Sequence, residues 1–154
     1  MKVSTILWPT DLSKLSLKAA PHVNSLAEKY QAKVVVVYVG VDLTTMGQAY
    51  GYPNEEHLKN FQEFELQQAK KKLEAVCQKE LKACPLFEVR LVKGDPATEI
   101  VKAVKKEKAD MVVLSRHGRS TDDLDAASPE FGSVARKVLA SLKVPVHLVN
   151  PFQQ

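Results

Sequence analysis

The chain has 154 residues, of which 45% are apolar and 26% are charged, a balance typical of one globular domain. Its 22 basic and 18 acidic side chains leave a net charge of +4, too small and too scattered to indicate nucleic acid as a partner. The longest apolar run, 34–41, is far shorter than the roughly 18 residues of a membrane-spanning segment. Pro9 and Asp11 also interrupt the start of the chain before a signal-like apolar core could form. We therefore expect a single domain over residues 1–154, with no membrane and no nucleic-acid partner.

The first third of the chain alternates strand and helix patterns. Val3–Trp8 is a short apolar run, expected to end at Pro9. The periodicity of 13–30 predicts a helix in which Pro21 must lie in the first turn or cause a kink. Its inner stripe would consist of Ala20, Val23, Ala27 and Tyr30. Lys33–Val39 is a continuous β-branched run, typical of a parallel strand that helices cover on both faces.

The rest of the chain continues this alternation. Gly40–Asn54 is predicted to be a loop, and Glu55 to about Ala83 a long charged helix. The inner face of that helix would consist of Leu58, Phe61, Ala69, Leu73 and Val76. Asp95 and Pro96 are an N-cap and a first helical residue, opening a helix with apolar residues at i, i+3, i+4 and i+7. The remaining predicted elements are strands at Leu86–Val92, Asp110–Leu114 and Val144–Val149, and a helix containing Ala135, Val138, Leu139 and Leu142.

The resulting order is β-α-β-α-β-α-β-α-β. Helical crossovers between successive strands require parallel pairing and right-handed connections. The fold class is therefore predicted to be α/β, an open doubly wound five-stranded parallel sheet with helices on both faces. Ligands of such Rossmann-like sheets bind beyond the carboxyl ends of the strands.

The segment after the fourth strand offers groups suited to an anion. Gly118 follows that strand, and Gly132 and Ser133 open the next helix. Backbone N–H groups, a hydroxyl and the helix dipole together favour a negative charge at such a position. The alternative is that Gly118 is a turn residue and Ser133 only an N-cap, and the pattern alone leaves both interpretations open.

Several motifs, taken together and in order, resemble the universal stress protein family over essentially the whole chain. They are Ile6-Leu7-Trp8-Pro9-Thr10-Asp11, Val37-Tyr38-Val39, Gly94-Asp95-Pro96, Ala109-Asp110-Met111-Val112-Val113, and the stretch from Gly132-Ser133-Val134-Ala135 to Val144-Pro145-Val146. The resemblance implies a cytoplasmic, dimeric protein with a five-stranded parallel sheet. The family contains members that bind ATP and members that do not, so the resemblance leaves nucleotide binding open.

The resemblance also implies a set of ligand-binding residues. Asp11, preceded by Pro9 and Thr10, and the backbone of Val39 would contact the adenine. The ribose and phosphates would be held by Leu114, Ser115, His117 and Gly118, and the phosphates also by Gly132, Ser133 and Val134. The sequence departs from the pattern of ATP-binding members, Gly-x2-Gly-x9-Gly-Ser/Thr, in two ways. Ser115 replaces the first glycine, and 13 residues instead of nine separate Gly118 from Gly132.

The lengthened loop is acidic, with Asp122, Asp123, Asp125 and Glu130 against Arg119. Carboxylates beside a triphosphate repel it unless a divalent cation lies between them. The loop could therefore host Mg²⁺, weaken ATP binding, or be a solvated excursion, and the sequence leaves these three alternatives open.

The histidines and cysteines form no legible metal or catalytic group. No cysteine lies near the histidines in sequence, and His22, His57 and His147 have no partner at metal-ligand spacing. His117 could donate to a phosphate, but no positioned carboxylate partner is evident. Cys77 and Cys84 lie seven residues apart, about 10 Å along a helix, too far for a disulfide. We therefore predict no catalytic residue, no metal ligand and two reduced thiols.

The last strand, Val144–Val149, is apolar and lacks the charges that protect an exposed edge. It is therefore predicted to form a homodimer interface, as the resemblance also implies.

A two-component receiver domain, which shares this fold class, is rejected because Asp11 has no acidic neighbour and the last strand ends without a lysine. Walker and dinucleotide glycine motifs are also missing.

These observations give one leading functional hypothesis and two alternatives. The leading hypothesis is a cytoplasmic stress-response regulatory protein that binds ATP or a related adenine nucleotide, with or without Mg²⁺, and hydrolyses it at most slowly. The first alternative is a homodimeric interaction module of the same family that binds no nucleotide. The second is a true ATPase that uses His117 and the acidic loop.

Overall fold

The computed structural model of the protein describes residues 1–51, 54–116 and 131–152. The strands are β1 (Thr5–Thr10), β2 (Lys33–Gly40), β3 (Leu86–Lys93), β4 (Met111–Ser115) and β5 (Val146–Val149). The helices are α1 (Lys14–Leu17), α2 (Ala20–Tyr30), α3 (Leu43–Ala49), α4 (Glu55–Glu80), α5 (Pro96–Lys106) and α6 (Ser133–Ser141). The five strands pair in parallel in the order β3-β2-β1-β4-β5, which confirms the predicted doubly wound α/β sheet.

Two hydrophobic cores lie on opposite faces of the sheet. Because side chains alternate along a strand, Val34 and Val36 of β2 enter one core and Val35 and Val37 the other. Helices α2 and α4 cover the first face, and α5 and α6 cover the second. All four valines are fully buried, as expected of a strand covered on both faces. Among the described residues, no helix combines the length and apolar content needed to cross a membrane.

The prediction that the first strand ends at Pro9 is wrong. Strand β1 continues to Thr10, and Pro9 pairs with Val37 of β2. On the other side, β1 pairs with β4 only at Ile6 and Leu7. Pro9 therefore lies where β1 has a strand neighbour on one side, a position at which a missing backbone donor is tolerated.

The single helix predicted over 13–30 is divided in two. Helix α1 ends at Leu17, and Pro21 lies in the first turn of α2, where its missing N–H costs no helical hydrogen bond. Tyr30 ends α2 and is 40% exposed, so it does not belong to the inner stripe.

The predicted loop over Gly40–Asn54 contains helix α3. Its start is stabilised by Asp42, whose Oδ1 accepts hydrogen bonds from the N–H groups of Thr44 at 3.1 Å and Thr45 at 3.3 Å. The hydrogen bond from the Thr44 hydroxyl and, to a smaller extent, that from the Thr45 N–H lower the pKa of Asp42. Such Asx capping of a short helix is hard to distinguish from a turn by sequence alone.

Helix α4 uses a different face near its start than predicted. Phe61 is 61% exposed, whereas Gln62 is 3% exposed and accepts a hydrogen bond from the Leu43 N–H at 2.7 Å. The inner face continues through Ala69, Leu73 and Cys77. Gln62 therefore joins α3 to α4, and Phe61, about 100° around the helix from Gln62, faces solvent.

Both cysteines are free thiols in the α2/α4 core. Burial raises the pKa of Cys77 to about 12, with smaller contributions from Cys84 and Glu74. Burial also raises the pKa of Cys84, which lies beyond the end of α4. Both thiols are therefore protonated at neutral pH and poor nucleophiles.

Candidate functional site

A cavity of about 290 Å³ opens at the carboxyl ends of β1, β2 and β4, beside the first turns of α5 and α6. Its volume is close to the lower end of the range for small-molecule sites, about 300–1,000 Å³. The lining residues are Pro9, Thr10, Asp11, Ser16, Val37, Val39, Pro96, Ile100, Leu114, Ser115, Arg116, Gly132, Ser133, Val134 and Ala135.

All of the described residues that the sequence nominated for ligand binding line this cavity. They are Pro9, Thr10, Asp11, Val39, Leu114, Ser115, Gly132, Ser133 and Val134. His117 and Gly118 lie outside the described residues, as does the acidic part of the lengthened loop. The nine residues come from four separate segments of the chain, and the first and last segments lie more than 120 positions apart. They meet at one place because the parallel strands end at the same edge of the sheet.

Local hydrogen bonds fix the segment that follows β1. Thr10 Oγ1 lies 2.7 Å from Ser16 Oγ and accepts the Leu12 N–H at 3.1 Å. Asp11 Oδ1 accepts the Ser13 N–H at 2.9 Å. Leu12 adopts a left-handed φ of 64°, uncommon for a non-glycine residue, which sharpens the turn between β1 and α1. Thr10 and Asp11 are therefore held against the cavity by bonds within one short turn.

Ser115 fits its position without backbone strain. The described non-glycine residues with positive φ are Leu12, Gln31 and Lys108, so Ser115 does not need the conformational freedom of glycine. Its hydroxyl donates a 3.4 Å hydrogen bond to the Leu15 carbonyl, which joins the end of β4 to α1. Replacement of glycine by serine here thus leaves the strand end intact.

The two ends of the lengthened loop are joined. The Gly132 N–H donates to the Arg116 carbonyl at 2.9 Å, and the Arg116 N–H donates to the Val149 carbonyl at 2.9 Å. The chain therefore leaves β4 after Arg116 and returns to the same place at Gly132. The extra four residues need not displace the start of α6, because both ends of the loop are fixed.

The N-terminus of α6 is the strongest candidate for an anion site. Gly132 is its N-cap, with φ −59° and ψ 153°, and no side chain among the described residues caps the first turn. By contrast, Ser13, Asn54 and Asp95 cap the first turns of α1, α4 and α5 with their own oxygens. No capping oxygen of the described residues therefore offsets the partial positive charge of α6. Helix α2 also starts without a side-chain cap, but α6 is the one of the two that opens onto the cavity.

The sequence analysis did not identify the apolar wall of the cavity or the positively charged Arg116 among the candidate site residues. Val37 and Ile100 belong to the α5/α6 core and line the inner side of the cavity. The Arg116 guanidinium lies 5.9 Å from the ring centroid of Phe131 and 5.8 Å from that of Phe152, within cation–π distance. Arg116 could have been identified from the sequence, because it is a basic residue directly after a strand that ends at the binding edge.

The cavity thus combines an apolar wall, a polar turn after β1 and a helix start that favours negative charge. Such a site suits a molecule with an aromatic or apolar end and an anionic end. Among the described residues, no group of three or more His, Cys, Asp or Glu side chains could hold a metal ion.

The chain is similar to known universal stress proteins in both sequence and fold. A curated relative, universal stress protein MJ0531 of Methanocaldococcus jannaschii, is 31% identical over 145 residues, covering 94% of this chain and 81% of the relative. Universal stress protein UspA from Lactobacillus plantarum has the same fold, with a TM-score of 0.78, 21% identity and coverage of 97% and 99% of the two chains.

Two similar structures were solved with adenine nucleotides. A universal stress protein in complex with cAMP has a TM-score of 0.61 at 21% identity, covering 98% of this chain and 99% of its own. The universal stress protein from Archaeoglobus fulgidus in complex with dAMP has a TM-score of 0.62 at 20% identity, covering 97% and 100%. At these identities the likeness establishes the fold. The model of the universal stress protein family matches residues 2–150, and the chain belongs to that family.

Proposed function

We propose that this protein is a cytoplasmic stress-response regulatory protein that binds ATP or a related adenine nucleotide in the cavity at the carboxyl edge of the sheet. The observation that carries the proposal is the convergence of nine sequence-nominated residues on one cavity that adjoins the uncapped start of α6. The complexes of two family members with cAMP and dAMP support an adenine nucleotide as the ligand class.

The nucleotide would lie with its base against the apolar wall and its phosphates at α6. Val37 and Ile100 offer apolar surface to the adenine ring, and Asp11 and the backbone of Val39 lie beside them for hydrogen bonds to its edge. The first-turn N–H groups of α6 and the Ser133 hydroxyl would bind the phosphates. The Arg116 guanidinium adds positive charge to the same region.

Hydrolysis would be slow at most. Asp11 is the one carboxylate among the described lining residues, and its Oδ1 already accepts the Ser13 N–H. In the proposed orientation Asp11 lies at the adenine edge, whereas a general base would have to reach a water beside the phosphates at α6. The described part of the cavity thus favours a binding protein over an ATPase.

The direct test has two steps. Freshly purified protein is denatured and its supernatant is analysed for adenine nucleotide, and nucleotide-free protein is then titrated with ATP by calorimetry, with and without Mg²⁺. Co-purified nucleotide or a micromolar Kd, about −8 kcal/mol, is expected. An empty protein that ignores millimolar ATP under both conditions would refute the proposal and favour an interaction module without nucleotide.

We also propose that the protein is a homodimer through Val144–Val149. The two edge strands differ, because β3 carries ion pairs of Glu88 with Lys33 at 3.8 Å and of Arg90 with Glu107 at 2.9 Å. Strand β5 carries no Asp, Glu, Lys or Arg, so its backbone edge is open to a second copy. Sedimentation at micromolar concentration should give twice the mass of one chain, and a monomer would contradict this proposal.

A further inference from the structure

Two histidines that are 125 positions apart in sequence meet on the face of the sheet opposite the cavity wall. His22 lies in the first turn of α2, and His147 lies in β5 beside Val113, which faces the α2/α4 core. His22 Nδ1 is 3.1 Å from His147 Nε2, the ring centroids are 5.3 Å apart, and the ring planes are inclined by 46°. Neither histidine has a partner at metal-ligand spacing along the sequence, and the fold is what brings the two rings together.

This spacing is close to what one metal ion bound to both rings requires. Zn–N bonds of about 2.0–2.1 Å at a tetrahedral angle would place the two nitrogens about 3.3 Å apart and the ring centroids about 5.2 Å apart. The observed separations, 3.1 Å and 5.3 Å, differ from those values by a few tenths of an ångström or less. A small rotation of the rings would exchange the shared hydrogen bond for two metal bonds.

The chemical state of the pair also suits a metal. In the shared hydrogen bond one ring donates and the other accepts, so the accepting imidazole is neutral in this arrangement. Neutral imidazole is the form that binds metal, and it suits Zn²⁺, Ni²⁺ and Cu²⁺. His22 is exposed and His147 is half-buried, so an ion can reach the pair from solvent.

We propose that His22 and His147 form a binding site for an imidazole-preferring divalent transition metal, with Zn²⁺ as the probe. The protein supplies two ligands, since the described residues hold no group of three or more potential ligands. With one protein ligand fewer than the three of a typical open zinc site, the remaining coordination positions belong to water. Because the ligands come from α2 and β5, a bound ion joins the two elements only in the folded chain.

The test compares three variants by calorimetric titration of chelator-treated protein with Zn²⁺. His22→Gln and His147→Gln should each weaken the highest-affinity site at least tenfold. The matched control is His57→Gln, an exposed histidine in the first turn of α4 that makes no described contact with the pair and should leave that site unchanged. His117 is retained in all three variants.

A second readout is the melting temperature. Zn²⁺ above its Kd should raise the Tm of the native chain and of His57→Gln, because a ligand that binds only the folded state stabilises it by mass action. His22→Gln should lose this rise, measured against its own metal-free Tm. Unchanged Zn²⁺ affinity in His22→Gln and His147→Gln, or equal weakening in all three variants, would overturn the proposal and indicate adventitious binding only.

Discussion

Replacing Gly132 by glutamate should weaken the binding of the phosphates of ATP and leave the binding of its adenosine part unchanged. Gly132 is the N-cap of α6 and has φ −59°, a value that any residue can adopt, so the substitution needs no backbone change. A carboxylate at a helix N-terminus also interacts favourably with the helix dipole. The variant should therefore fold, with a Tm equal to or slightly above that of the native chain.

The expected loss of affinity follows from the charges. A carboxylate at Gly132 would lie about 4–6 Å from a phosphate bound to the first-turn N–H groups. At an effective dielectric constant of about 20, one pair of unit charges at that separation repels by about 3–4 kcal/mol. Salt screening reduces this value, so the Kd for ATP should rise by at least about 100-fold, or 2.7 kcal/mol.

Calorimetry with ATP and with adenosine tests this reasoning. Gly132→Gln has a side chain of the same size without the charge, so it should lose less than tenfold in ATP affinity. Adenosine, which lacks phosphates, should bind native chain and Gly132→Glu with similar affinity. If glutamine reduces ATP affinity as much as glutamate, the effect is steric; if neither reduces it, the phosphates do not lie at α6, and the proposed orientation is wrong.

Three further predictions concern stability and reactivity. Leu73→Ala, at a fully buried position of α4, should lower the free energy of unfolding by about 2–5 kcal/mol in urea titrations, whereas Phe61→Ala, at an exposed position, should change it by less than about 0.5 kcal/mol. Asp95 accepts hydrogen bonds from the Thr98 N–H at 3.0 Å and hydroxyl at 2.7 Å, which lower the pKa of Asp95 below its usual 3.8. Asp95→Ala should therefore lower the Tm at pH 7, and this difference should disappear as the pH falls through the lowered pKa, because the carboxylate is then protonated in both states; a difference that persists in strong acid would contradict this. Cys77, with a pKa of about 12, should react with a thiol reagent at pH 8 only after unfolding, and rapid labelling of this thiol in the native chain would show that the core opens there.

Strand β2 and the start of helix α5 could be predicted from short stretches of the sequence. The β-branched run of β2 predicted a doubly covered strand, because only a parallel sheet beneath helices buries such a run on both faces. Asp95 and Pro96 predicted the start of α5 to the residue, since capping depends on adjacent positions. The alternation of these elements then fixed the binding edge of the sheet, where the nominated site residues lie.

Other features depended on contacts that no local pattern contains. Periodicity shows that α4 is amphipathic, but only the tertiary structure shows that Gln62 is buried, accepting a hydrogen bond from the Leu43 N–H, while Phe61 faces solvent. Likewise, only folding brings His22 to His147 and fixes both ends of the lengthened loop at Arg116. Sequence by itself determined the number and order of the strands, the starts of α4, α5 and α6, and the family of this protein, because these follow from neighbouring residues and their order. Tertiary structure decided which distant side chains meet, because those contacts depend on strand order and helix rotation, which are set by packing of the whole chain.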